Sequence, residues 1–134
     1  MADLLAAATA EIVRLHDVIE GWFTGRLAED RFDPDFADAL HPEFENIQPS
    51  GLVGSREDLL DSLRAAHGAN PDFRITIEEP RLLAVYPGLI LAGYIEAQTG
   101  ARNSPPENRR RSTVLFETGD RLIWRYLQET ALPG

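Results

Sequence analysis

Apolar residues recur at intervals of three and four through the first half of this chain and at intervals of two through the second, and the rhythm changes near Phe73. Leu5, Ala8, Ile12, Leu15, Ile19, Trp22 and Phe23 share one stripe, so their spacing predicts a helix over residues 3 to 27. His16 lies about 40° from Ile12 on the flank of that stripe. Asp33-Pro34 reads as an N-cap followed by proline at the first position of a short second helix, which Pro42 ends. Phe44 to Gln48 is a short strand, and Pro49-Ser50-Gly51 turns the chain away from it. Ser55 with Asp58 forms a capping box for a third helix, whose buried stripe is Leu59, Leu60, Leu63 and Ala66.

Every element after that is a strand. Phe73, Ile75 and Ile77 alternate with Arg74, Thr76 and Glu78, and Pro80 either breaks or bends this strand before Leu82 to Tyr86. Tyr86-Pro87-Gly88-Leu89 places proline and glycine where a type II turn wants them and so reverses the chain into Leu89 to Thr99. Gly100 to Asn108 is a long mobile loop. Arg109 to Glu117 and Arg121 to Thr130 are two strands joined at Thr118-Gly119-Asp120. Ser112, Val114 and Phe116 share one face of the first, and Leu122, Trp124, Tyr126 and Gln128 share one face of the second. That face ends in Gln128 and Thr130. A sheet face running from apolar to polar under covering helices is expected to line a pocket.

Composition narrows the functional classes. The 134 residues form one domain, 1-134, large enough to bury a core without staples. With 13 basic against 22 acidic residues and a net charge of -9, the chain is a poor partner for nucleic acid. Arg109-Arg110-Arg111 is either a solvated strand end or a contact for an anionic ligand at a pocket mouth. Cysteine and lysine are both absent, which excludes disulfides, thiolate chemistry and Schiff-base catalysis. The first ten residues lack the positive region of a secretion signal and nothing approaches a membrane span, so the expected location is cytoplasmic. No metal or cofactor is expected.

The segment Leu40 to Gly51, followed by Gly54 to Leu60, resembles the helix-strand-turn-helix segment of the SnoaL-like, nuclear-transport-factor-2-like (NTF2-like) superfamily. The ending Gly119 to Trp124, running on to Thr130, is similar to that family's last strand, where tryptophan, histidine and serine usually stand at the positions of Leu122, Gln128 and Thr130. The resemblance implies an α+β fold: three N-terminal helices on a strongly curved antiparallel or mixed sheet, a cone-shaped half-barrel with an internal cavity. It often implies a dimer through the sheet's outer face as well. Leu91, Ile95, Ala97 and Leu115, apolar on that outer face, agree with a homodimer.

The superfamily holds isomerases, dehydratases, an epoxide hydrolase, polyketide cyclases, dioxygenase small subunits and transport factors, so fold alone selects none of them. The ketosteroid isomerase machinery is not matched. Its base falls on Gln48, its aspartic acid near Ser112, and its tyrosine on a first helix that has none.

The remaining candidates are read from facing. Phe44, Asn46 and Gln48 alternate on one strand and Tyr94, Glu96 and Gln98 on another. If both sets look inward, polar Asn46, Gln48, Glu96, Gln98, Ser112 and Gln128 meet inside walls of Trp22, Phe23, Phe44, Tyr94, Trp124 and Tyr126. Glu96 is then the candidate base, with His16 or His41 as its partner. Alternatively Glu96 is a solvated outer carboxylate and the histidines are structural. The expected function is binding of a small, mostly apolar ligand. An isomerase, dehydratase or hydrolase acting on a polyketide- or steroid-like molecule without a cofactor is the alternative, and an association module without ligand is the second. A buried carboxylate within hydrogen-bond reach of a histidine favours the enzyme; a cavity holding only amides and hydroxyls favours the binder.

Overall fold

The computed structural model describes residues 3–102 and 105–133. Helix α1 spans Leu4–Thr24, started by the Asp3 carboxylate, which accepts from the Ala6 N–H at 3.0 Å, and ended by Gly25 in the left-handed region. A one-turn helix α2, Phe32–Asp35, lies between two short 3-10 turns, Glu29–Arg31 and Ala37–Ala39. It starts before the proposed Asp33 cap because the buried Phe32 ring packs on Trp22 at 4.7 Å and sets the helix phase. Helix α3, Arg56–Arg64, carries the complete capping box expected of Ser55 and Asp58.

The described residues form six strands, two before α3 and four after it: β1 Leu40–Ile47, β2 Val53–Ser55, β3 Arg74–Tyr86, β4 Leu89–Thr99, β5 Asn108–Glu117 and β6 Ile123–Ala131. Their order across the sheet is β2-β1-β6-β5-β4-β3, with β1 parallel to β6 and every other pair antiparallel. The short β2, which has no periodic signature, pairs with β1. Strand β1 begins before Pro42 rather than after it, because a register shift between Leu40 and Glu45 leaves Pro42 outside the ladder, where its missing N–H removes no bond. On edge strand β3 the chain runs through Pro80 by a bulge between Glu78 and Arg81, with Glu79 at a φ of 51°. Within the Gly100 to Asn108 connection, positions 103 and 104 lie outside the described residues; at its base the Ala101 N–H donates to the Pro106 carbonyl at 3.3 Å.

A second bulge matters more. On β5 and β6, Phe116 pairs with Trp124 but Leu115 pairs with Tyr126, so Arg125 is an extra residue and the facing of β6 inverts after it. Trp124, Leu127 and Glu129 point toward the helices. Tyr126, Gln128 and Thr130 point away, contrary to the strict alternation expected for this strand. The covered face begins with Ile90, Phe116 and Trp124 in one row and Ala92, Val114 and Leu127 in the next, packed under Ala8, Ile12 and Leu15 of α1.

Gly100 ends β4 at a φ of 71°, where an added Cβ would come within 2.3 Å of the Asp72 carbonyl oxygen. Gly51 has a similarly positive φ of 89° but open space around it. Gly51→Ala is therefore expected to cost only the left-handed penalty of about 1 to 2 kcal/mol. Gly100→Ala, which must also displace the Asp72 backbone, is expected to cost at least about 1 kcal/mol more than that. Urea unfolding of the two variants checks the ranking.

Candidate functional site

Toward the far ends of β4, β5 and β6 the covered face turns polar. Tyr94, Ser112 and Glu129 form one row by register, Glu96 and Arg110 the next, and Gln98 and Asn108 the last. Alternation on β4 and β5 and the Arg125 bulge on β6 aim all of them at α1, from which His16 faces the sheet. His16, Tyr94, Glu96, Ser112 and Glu129 are all buried, and Asn46 of β1 is buried beside Leu127 on the same face.

The contacts define charge states. His16 Nδ1 lies 2.7 Å from the Ile12 carbonyl, which can only accept, so Nδ1 carries a proton. Nε2 lies 3.1 Å from Glu96 Oε1 and 3.5 Å from the Tyr94 hydroxyl. Gln98 Nε2 donates to the other Glu96 oxygen at 2.6 Å. Burial opposes charge on both members of the pair, but their mutual attraction and hydrogen bond outweigh it. Glu96 is held down at about 2 and the His16 imidazolium is held above its ordinary value of 6.5.

Glu129 goes the other way: burial, then the nearby Glu96 charge, raises its carboxyl above the ordinary value, against the pull of Arg110. Arg110 Nη1 donates to Glu129 at 3.2 Å and Nη2 to Asn108 at 3.2 Å, and Asn108 donates to Gln98 at 3.2 Å. Burial, followed by the Glu96 and Glu129 charges, pushes the Tyr94 phenol far up, so it stays protonated. His16 with Glu96 and Arg110 with Glu129 thus form two adjoining contacts between a basic group and a carboxyl. Among the described residues, Asn46 Oδ1 and Arg110 Nε of this region are buried without a hydrogen-bond partner, and the Ser112 hydroxyl has only the Tyr94 hydroxyl beside it.

A groove of about 920 Å³ opens over the polar end, between the ends of β1, β4 and β6 and the start of β5. Gln98, Asn108 and Arg110 of the covered face line it together with Ala97, Thr99 and Arg109 of the outer face, and Gln48, Pro105 and Leu132 complete it. Its lining therefore bonds directly to the buried charges.

The sequence candidates divide accordingly. Phe44, Asn46, Tyr94, Glu96, Gln98, Ser112 and Trp124 come together on the covered face with His16. Gln48 stands beyond β1, exposed, at the groove's rim, because the strand ends at Ile47 before the turn. Tyr126 and Gln128 lie on the outer face because of the Arg125 bulge, with Gln128 Nε2 bonded to Thr130 at 2.8 Å. Trp22 turns toward α3, donating to the Leu63 carbonyl, and lines a separate recess of about 420 Å³ with Phe32 and His67. Phe23 packs edge-on against Phe73 at 5.1 Å. Helix α1 runs past the sheet at its C-terminal turn, so these two rings meet other elements. His41, at the opposite end of β1, accepts from the Glu43 N–H and is remote from His16.

Sequence reading missed Glu129 and the inward role of Arg110. The available signal was Leu127: apolar residues three apart at Trp124 and Leu127 do not fit an uninterrupted strand and mark the inversion that carries Glu129 inside. Arg109, one of the three consecutive arginines, is on the outer face, paired with Glu78 at 2.6 Å. Among the described residues no three His, Asp or Glu side chains converge as metal ligands, and no helix is long and apolar enough to cross a membrane.

No family model matches the sequence, and no curated protein matches it. Among solved structures, the chain is 31% identical to an NTF2-like protein of unknown function from Pseudomonas aeruginosa, with a TM-score of 0.87 over 95% of this chain and 99% of that one. An NTF2-like protein from Cytophaga hutchinsonii superposes with a TM-score of 0.78 at 13% identity, covering 98% and 100% of the two chains. The β subunit of benzoate 1,2-dioxygenase from Burkholderia mallei does so with 0.72 at 14%, covering 98% and 92%. The chain belongs to the NTF2-like family, and the two distant likenesses concern the fold alone.

The buried pair makes stability pH-dependent in a defined window. Glu96 is depressed, so its contribution is full above 4.5 and lost as pH falls toward about 2; His16 is raised, so its contribution is full below 6.5 and lost as pH rises through its elevated value. Between 4.5 and 6.5, Glu96→Gln is expected to cost about 3 kcal/mol, because it leaves the imidazolium buried without its partner. The cost shrinks on either side of that window. Melting curves of wild type and variant across pH check the shape, and a pH-independent difference would refute the assignment.

Proposed function

We propose that the protein binds a compact, mostly apolar small molecule in the cone, reached through the groove over Gln98, Asn108 and Arg110. One observation carries this reading: the groove is lined by Gln98, Asn108 and Arg110, which bond to the buried Glu96 and Glu129, and the buried Arg110 Nε keeps no partner of its own. A buried polar atom without a partner costs roughly 1 to 3 kcal/mol, a cost that a bound ligand's polar group removes.

The carboxylate-histidine contact favours acid-base chemistry as a second reading. The His16-Glu96 pair is closed on itself, however: a carboxylate held near 2 is a poor base, and an imidazolium bonded to it is a poor acid near neutrality. Glu129 is the better proton-exchanging group. Its environment shifts it away from Glu96, and two carboxyls with diverging affinities divide acid and base roles. The Gln48 position offers no carboxyl, and α1 has no tyrosine, so ketosteroid isomerisation is not part of this proposal.

Native mass spectrometry of the protein after exposure to a metabolite extract tests the binding reading. A single small-molecule adduct is expected on the wild type and not on Arg110→Leu, which removes the polar group that joins the groove to Glu129; equal adducts on both would move binding elsewhere. On assembly, we propose a homodimer through the outer sheet face, supported by Leu83, 42% exposed, beside the half-buried Leu91 and Leu115. Size exclusion with light scattering is expected to return twice the 14.9 kDa chain mass, and a monomer at micromolar concentration would reject the dimer.

A further inference from the structure

We infer that the groove at the end of the sheet takes a small organic acid, whose carboxylate meets Arg110 while Glu129, the present partner of that guanidinium, takes up a proton from solvent. This rests on the binding reading above and adds to it the chemical class of the ligand and a coupling of binding to pH.

Two arginines line the groove. Arg109 is on the outer face and closed against Glu78 at 2.6 Å, whereas Arg110 is on the covered face with a side chain 17% exposed. The Arg110 guanidinium is incompletely used. Nη1 donates to Glu129 and Nη2 to Asn108, each at 3.2 Å, and Nε is buried with no acceptor. A carboxylate accepts two N–H bonds from such a fork at about 2.7 to 2.9 Å, closer than either bond Arg110 makes to its own chain. Pro49, Pro105, Leu132 and Pro133 line the groove around it and give a hydrocarbon body apolar contact. Glu107, the one carboxylate of the lining, is exposed, where salt at about 0.15 M, with a Debye length of roughly 8 Å, screens it.

An anion arriving at Arg110 meets two buried carboxyls, and they respond differently. Glu96 keeps His16 at 3.1 Å and Gln98 at 2.6 Å, so its charge is settled and compensated. Glu129, with a side chain 8% exposed, has a single hydrogen bond to its carboxyl, from Arg110, and burial beside the Glu96 charge already raises its affinity for a proton. When the ligand takes Arg110, Glu129 loses that compensation and binds a proton. One anion and one proton enter together, so the charge of the site does not change. The charged and titratable groups facing Glu129 are Arg110 from β5, Glu96 and Tyr94 from β4 and His16 from α1; Tyr94 stays protonated and His16 is held charged by Glu96. A cation has no such route, because both carboxyls are already held by basic groups.

Isothermal titration of the full chain with 2-naphthoate and 2-naphthamide, at about 0.15 M salt, tests the inference. The acid is expected to bind at least about tenfold tighter than the amide at pH 6. Its affinity is expected to fall several-fold between pH 6 and pH 8, with net proton uptake at pH 7 seen as a difference between buffers of unlike ionisation enthalpy, while the amide shows neither effect. Glu129→Gln keeps an acceptor for Arg110 but cannot take a proton. It is expected to bind 2-naphthoate several-fold tighter than wild type at pH 8 and without uptake, and Arg110→Gln is expected to lose the preference for acid over amide.

An amide that binds as tightly as the acid overturns the ligand class and leaves binding in the groove standing. A preference for the acid without proton uptake, or with uptake that survives in Glu129→Gln, overturns the coupling and places any pH dependence on His16. Saturable binding by neither probe overturns the groove reading as well. Circular dichroism shows whether each variant folds, and where one does not, the wild-type comparison of the two probes and its proton uptake decide the matter alone.

Discussion

The structure turns on one awkward contact: an ion pair, His16 with Glu96, placed where α1 meets the sheet and water is excluded. Two charges removed from water demand excellent geometry and further hydrogen bonds, or the pair costs more than it returns. The Ile12 carbonyl, Gln98 and the Tyr94 hydroxyl supply those bonds. Arg110 and Glu129 form a second such contact beside it. The pair therefore pins α1 to β4 at one rotation and one height. Neighbouring apolar residues of α1 could pack at several.

That polar end coexists with a conventional core. Trp124 and Phe116 meet edge-on at 5.0 Å, and the Trp124 indole N–H reaches Glu11, which is itself bonded to Arg14. The gradient from this aromatic floor to the Gln98-Asn108 rim lies along a single sheet face, achieved by alternation on β4 and β5. On β6 it requires the bulge. Without the extra residue at Arg125, the face would close on Tyr126 and Gln128, and Arg110 would lose the β6 carboxylate of Glu129, keeping only Glu96 across from it on β4.

Much of the architecture was legible because local rules decided it. The Ser55 capping box, the Pro87-Gly88 turn and the period-2 runs of β4 and β5 each specify their element without help from distant residues. That Tyr94 and Glu96 share one face followed from the same alternation, but whether that face looked inward stayed open until α1 was placed over it. What was not legible came from tertiary effects. Phe32 set the start of α2 through Trp22; Pro42 and Pro80 were accommodated by register shifts; Trp22 and Phe23 met α3 and Phe73 rather than the sheet. The site suffered most from one insertion, since a single bulged residue exchanges every later side chain between inside and outside. Glu129 was hidden by parity, not by chemistry.

The parallel pairing of β1 with β6 also orders events in time. Strand β6, residues 123–131, lies between β1 and β5, so it is the only connection in the sheet between the β1-β2 hairpin and the β3-β4-β5 meander. During synthesis the meander can form from neighbouring segments, while β1 must wait for a partner encoded some eighty residues downstream. Until that partner has left the ribosome, one edge of β1 and one edge of β5 are unpaired, and Glu96 is buried beneath a helix without the Arg110-Glu129 pair beside it. A nascent chain of this protein thus carries both open strand edges only between the completion of β5 and the arrival of β6, so the sheet is joined by the last of its strands to be made.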